Sequence, residues 1–242
     1  MSKNKTTYNS GVNILGSVPD YSLMLDFISD TYGHTANSAG AFEFRTEKSL
    51  KRFIAAIETC ILQFQSENHK QMFFFAIANT EFAIREKMII LFWQLTYSNN
   101  LFSKITREVY MKNVYSGRVS ITAEEVLAYL RSLKASEANE LQWSEETLKI
   151  SASKYLTILK KLGLVEGAIK KTITYPVITS SLFVYFIRYA LTVNPQDKTL
   201  QNPYMFFAFS EEQSIINRLK KIEYIKYWDI SQVGNNLTID LK

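Results

Sequence analysis

Apolar residues recur at the three- and four-residue spacing of a helical face through most of the chain. The pattern is cleanest after Thr46, a helix-capping residue type, where Leu50, Phe53, Ile54, Ile57, Ile61 and Phe64 share one side while Lys48, Lys51 and Arg52 sit on the other. Upstream, Pro19 and Asp20 mark a start for a helix carrying Leu23, Phe27 and Ile28, with Gly33 as its stop; residues 34–45 show little periodicity. Residues 68–115 read as two or three packed helices dense in Phe, Ile, Leu and Trp93, with a break at Asn99 and Asn100. A helix over 122–134 opens on a capping box, Thr122 with Glu125, and turns Val126, Leu127, Leu130 and Leu133 inward. Another apolar helix covers 180–192. Ser210 with Gln213 looks like a second capping box, opening a helix through Ile215, Ile216, Leu219 and Ile222. Alternation around Gly234, Asn235 and Asn236 predicts a terminal hairpin with Leu237, Ile239 and Leu241 on one face.

The stretch SEETLKISASKYLTILKKLGLVEGAIKKTITYPVI, residues 144–178, is the most informative. Ser144 caps a helix whose first turn holds Glu145 and Glu146, favourable for the helix dipole. Leu148, Ala152, Tyr155, Leu159 and Leu162 share one side; Lys149, Ser153, Thr157 and Lys160 share the other, flanked by Lys154 and Lys161. Gly163 stops the helix, and Leu164 and Val165 start a strand that turns at Gly167, beside Lys170 and Lys171, and returns through Thr172 to Ile178. With the 122–134 helix this gives helix, turn, helix, hairpin, the order of a winged helix-turn-helix, although the 135–143 connection is longer than the usual three or four residues.

Composition narrows the picture. With 242 residues, 47% hydrophobic and only four prolines and eight glycines, the chain is expected to be mainly α: a helical bundle body, a winged helix-turn-helix-like segment and short β-hairpins. The expected division is a flexible tail over 1–18, a helical domain over 19–118 and a C-terminal domain over 119–242. The formal charge is +5, and residues 144–178 hold six lysines against three glutamates. Lys149, Lys154, Lys160, Lys161, Lys170 and Lys171 suit phosphate neutralisation, and Ser144, Thr147, Ser153 and Thr157 can add hydrogen bonds. Arginine and asparagine, the usual bidentate readers of guanine and adenine, are missing from the exposed helix face, which predicts weak sequence preference. Residues 211–242 are charge-balanced, a poorer phosphate surface.

Candidate chemistry is sparse. His34 and His69 fit no metal-binding spacing and read as surface or loop residues; the single cysteine, Cys60, fits a buried thiol in a reducing compartment. The Glu-Glu pairs at 124, 145 and 211 all sit at helix starts, where capping and dipole effects account for them. No catalytic residue, metal site or cofactor is expected. Glu81, Arg85, Glu86 and Lys87 interrupt the most apolar stretch, residues 71–103, so no membrane span is expected, and MSKNKTTYNSG lacks the apolar core of a secretory signal; the expected location is the cytoplasm.

The segments LFSKITREVYMKNVYSGRVSITAEEVLAYL, LQWSEETLKISASKYLTILKKLGLVEG and TYPVITSSLFVYFIRY resemble the BrxA family of bacteriophage exclusion (BREX) defence systems, over roughly residues 20–230. The resemblance implies a cytoplasmic, mainly helical, non-enzymatic protein with nucleic-acid-binding folds, similar in its helical part to a bacterial antitermination factor, with double-stranded DNA as ligand and other BREX proteins as partners. The alternative is an interaction module without significant DNA binding, in which Tyr185, Tyr189, Tyr204, Phe206, Phe207 and Phe209 dock another protein of the system.

Overall fold

A computed structural model describes residues 8–18, 20–32, 46–168, 170–234 and 236–242. The sequence readings at residues 1–7, Pro19, Gly33, 34–45 with His34, and Asn235 lie outside the described residues.

Helices dominate, joined by two small antiparallel sheets. Helix α1 (Gly11–Leu15) is followed by α2 (Tyr21–Tyr32), α3 (Glu47–Cys60), α4 (Glu67–Ala78) and α5 (Ile84–Ser98). Polar side chains set the starts: Thr46 accepts from the Ser49 amide at 3.2 Å, and Ser66 from that of His69 at 3.2 Å. Asn99 breaks the run as expected, and does so by capping the next helix, accepting from the Phe102 amide at 2.9 Å. That helix runs as α6 (Asn100–Ile105), through a π-helical turn Thr106–Met111, into α7 (Lys112–Tyr115). After strand β1 (Ser120–Ile121) come α8 (Ala123–Ser136), α9 (Glu145–Lys161), β2 (Val165–Glu166), β3 (Lys171–Ile173) and α10 (Ser180–Val193); α11 (Glu212–Leu219) and the hairpin β4 (Trp228–Val233) and β5 (Asn236–Leu241) close the chain.

The core is centred on α5, in which every residue from Met88 to Thr96 is buried. Trp93 donates its indole N–H to the Phe207 carbonyl at 2.9 Å, and Tyr189 of α10 donates to the Trp93 carbonyl at 2.5 Å. This arrangement corrects the aromatic docking surface at 185–209 on which the alternative reading rests. Tyr185, Tyr189 and Phe207 are buried and Tyr204, Phe206 and Phe209 are packed against the core: Trp93 stacks on Tyr185 and Tyr189, Phe92 meets Phe207 and Phe209, and Tyr204 and Phe206 lie against Phe207. Among the described residues no helix is long and apolar enough to cross a membrane.

Other expectations also change. Residues 8–18, expected within the flexible 1–18 tail, carry the buried Tyr8, Val12, Leu15 and Val18 and pack through α1 on α3 and α9. His69 is fully buried rather than at the surface. The Ser210 box does not form: helix α11 starts one residue later, after Glu211, and Gln213 bonds Asn217 at 3.0 Å instead. Ile222 leaves the α11 face in a separate 3-10 turn and is 85% exposed. In the terminal hairpin Leu237 and Ile239 are buried, whereas Leu241 lies at the open end.

Candidate nucleic-acid interface

Helix α9 starts at Ser144, whose hydroxyl accepts from the Thr147 amide at 3.2 Å and bonds the Thr147 hydroxyl at 2.9 Å. Both hydroxyls expected at a ligand surface thus serve the cap. At the other end Gly163, with φ of 73°, adopts the left-handed conformation that glycine takes without strain; its amide bonds the Lys160 carbonyl and the Leu164 amide the Leu159 carbonyl. Seventeen residues of helix are therefore fixed at both ends.

The inner face is buried as its spacing predicts: Leu148, Ala152, Tyr155, Leu159 and Leu162. Tyr155 bonds Thr106 in the π-helical turn at 3.1 Å. Helix α8 lies alongside, and its capping box forms in full, Glu125 accepting from the Thr122 amide at 2.8 Å and returning its own amide to the Thr122 hydroxyl at 3.2 Å. The long connection is shortened because α8 runs on to Ser136. It is then braced by Lys134, which donates to the Trp143 carbonyl at 2.6 Å, and by Arg131, whose Nε reaches Glu145 at 2.9 Å. The Arg131 guanidinium holds the Glu145 carboxyl below its usual range.

The hairpin that follows is tied in at several points. Strand β3 pairs with both β2 and β1, giving the order β1-β3-β2, with Ser120 opposite Thr172. Thr174 donates its hydroxyl to the Gly163 carbonyl at 2.6 Å and its amide to that of Leu164 at 3.0 Å. Strand β3 ends at Ile173, short of the Ile178 expected; after the Thr174 bond to Leu164 the chain reaches Pro176, which has no N–H to offer a ladder.

These elements sort the candidate residues. Lys149, Ser153 and Lys160 are exposed and Thr157 is half-buried on the same side, its hydroxyl turned to the Ser153 carbonyl at 2.9 Å. Lys170 is exposed in the hairpin turn, where Lys171 donates to the Gly167 and Ala168 carbonyls at 2.9 and 2.6 Å. Partial burial and the nearby Lys160 ammonium push the Lys171 amine down from its ordinary value. Hairpin and helix thus bring Lys160 and Lys171 within electrostatic reach of each other. Among the described residues Lys149, Lys154, Lys160 and Lys170 form no ion pair.

Lys161 stands apart. Its ammonium donates to the Gly16 carbonyl at 2.9 Å and to that of Val18, lies 5.5 Å from the Tyr21 ring centre, and is held below its ordinary pKa by burial and by Lys154. Lys154 flanks the same junction: a Cβ at Gly16 would come within 2.9 Å of its carbonyl oxygen, so the chain at α1 passes close against α9. The exposed strip of α9 is consequently bounded by α8, through Arg131 and Glu145, on one edge and by α1 and α3 on the other. Sequence spacing could not show this second boundary, because residues 11–18 and 46–60 are remote from α9 in the chain.

The N-terminal segment is secured independently by Tyr8, which donates to Glu137 and accepts from Lys104 at 2.7 Å, Lys104 also reaching Glu137 at 2.6 Å. Burial and the neighbouring Glu137 raise the Tyr8 hydroxyl to about 12. No cluster of three or more potential metal-ligating side chains occurs among the described residues.

The family model that matches is that of BrxA, over residues 23–189, which takes in α8, α9, the β1-β3-β2 sheet and most of α10. No curated protein matches the chain.

Proposed function

The chain belongs to the BrxA family, which implies a role in BREX phage defence, and from that premise we propose that it is a non-enzymatic protein binding double-stranded DNA. In this reading α8 and α9 act as a helix-turn-helix and β2–β3 as its wing. The open strip of α9 enters the major groove, and Lys149, Lys160, Lys170 and Lys171 neutralise phosphates. One observation carries the proposal. The hairpin, anchored to β1 ahead of α8, brings Lys170 and Lys171 to the C-terminal end of the open α9 strip, where Lys160 and Lys170 are exposed and without an ion pair among the described residues, and where burial together with the Lys160 charge lowers the Lys171 amine. Like charges held together repel and cost free energy, which a polyanion in place offsets. Lysine delivers point charges without a planar base-reading fork, so affinity should vary little with sequence.

Binding of the Lys149→Glu/Lys160→Glu variant to several duplexes of unrelated sequence tests this. Comparable weakening on every duplex is expected, since two phosphate contacts become repulsions. Affinity equal to that of the unaltered protein would remove the α9 strip from the interface.

A further inference from the structure

The edge of α9 bounded by α1 and α3 opens into a cleft of about 500 Å³. Phe53 and Ile150 lie among its lining residues; Ser17, Ser49, Arg52 and Lys154 bring it polar atoms from three separate elements. The side-chain oxygen of Asn13, which also lines it, is buried with no hydrogen-bond partner. Arg52 and Lys154 come from helices far apart in sequence, and among the described residues neither meets a carboxylate. The neighbouring Lys51, by contrast, is paired with Glu47 at 2.7 Å. Lys48 lies one helical turn before Arg52, hence on the same face of α3, and is likewise exposed and without an ion pair among the described residues.

A helix seated in the major groove has a phosphate strand on each side, the groove being about 12 Å wide. The hairpin lysines serve one end of the α9 strip. Lys154 follows Ser153 by one residue and so lies about 100° further round the helix, on the α3 side. Charge therefore continues across the edge of α9 from Lys160 and Lys149 to Lys154, and from there to Arg52 and Lys48 on α3.

We propose that α3 is a second phosphate-contacting element, with Arg52 and Lys48 gripping the duplex backbone on the side of α9 away from α8, and Lys154 joining the two surfaces. The inference rests on the DNA-binding reading above and extends the interface into a part of the chain that precedes the helix-turn-helix by some seventy residues. Arginine suits this position because its guanidinium bonds a phosphate through two N–H groups and, being weakly hydrated, tolerates the cleft rim.

The test is the full-length Arg52→Gln/Lys48→Gln variant, titrated with a labelled random-sequence duplex at several salt concentrations beside the unaltered protein and the Lys149→Glu/Lys160→Glu variant. Both altered side chains are exposed, so thermal melting should be unchanged. Losing two phosphate contacts is expected to reduce the slope of log affinity against log salt by about 2 and to weaken binding to all duplexes, with Arg52→Lys recovering the charge and most of the slope. If the α9 variant weakens binding while the α3 variant keeps the full slope, α3 is not in the interface and only this inference falls. If the unaltered protein fails to bind duplex at low salt, both readings fall.

Discussion

Ser120 faces Thr172 across an antiparallel pair, so the strand that precedes α8 is joined to the strand that returns from the hairpin after α9. Two residues of β1 are enough to fix the hairpin relative to the helix pair, because β3 is held on its other edge by Val165 and Glu166. The position of Lys170 and Lys171 beside α9 follows from that three-stranded arrangement rather than from the hairpin alone.

Adjacent lysines on α9 should behave oppositely. Lys161→Met strands two carbonyl oxygens, at Gly16 and Val18, and is expected to destabilise the fold on the order of 1–2 kcal/mol with little change in the salt dependence of DNA binding. Lys160→Met touches no such partner. It should leave melting within about 0.5 kcal/mol and lower the salt slope by about 1. Thermal melts and salt-titrated binding of the two variants check this; the reverse pattern would contradict the division of roles.

His69 supplies a pH dependence. Its Nδ1 accepts from the Gln65 amide at 3.2 Å, which leaves the proton on Nε2 to be donated to Gln94 at 2.9 Å, while Gln94 gives its own amide hydrogens to the Ile61 and Gln63 carbonyls. Burial pushes this imidazole from 6.5 down to about 4. With the folded value depressed, the unfolded chain binds the proton first. The stabilisation is thus fully present above pH 6.5 and declines as pH falls toward about 4. NMR titration of the ring protons should show no midpoint until the acid end of that window, and the melting temperature should already fall between pH 6.5 and 5, where carboxylates stay ionised. A ring midpoint near 6.5 would contradict the buried network.

Gly16 has no room for a side chain, since a Cβ there meets the Lys154 Cβ at 2.8 Å and its carbonyl oxygen at 2.9 Å. Gly16→Ala is expected to push residues 8–18 off α9, costing about 1–3 kcal/mol and speeding proteolytic cleavage in that segment. Melting and digestion like those of the unaltered protein would show that the contact yields freely.

Much of this architecture is legible in local patterns. Thr46, Thr122 and Ser144 each cap the helix that the following periodicity announces, and Gly163 ends α9 where expected, since caps and stops depend on a few neighbouring residues. Long-range facts are not legible in that way. Nothing near Tyr8 signals its bond to Glu137, 129 residues on, and α1 is too short to show a helical period. His69 sits between Asn68 and Lys70, a polar setting that conceals a buried ring whose partner is 25 residues away. At the candidate interface the strip of Lys149, Ser153 and Lys160 is visible from spacing. The capture of Lys161 and the approach of Arg52 depend on how α1 and α3 dock.

Fluorescence anisotropy of the unaltered protein with a labelled random-sequence duplex, titrated at several salt concentrations, addresses the central claim most directly. Engagement of about four phosphates through α9 and the hairpin should give log affinity falling with log salt at a slope near −3 to −4, steeper by about 2 if α3 also contributes. Absence of binding at low salt would contradict the account and leave the lysines of α9 as a solvated helix face.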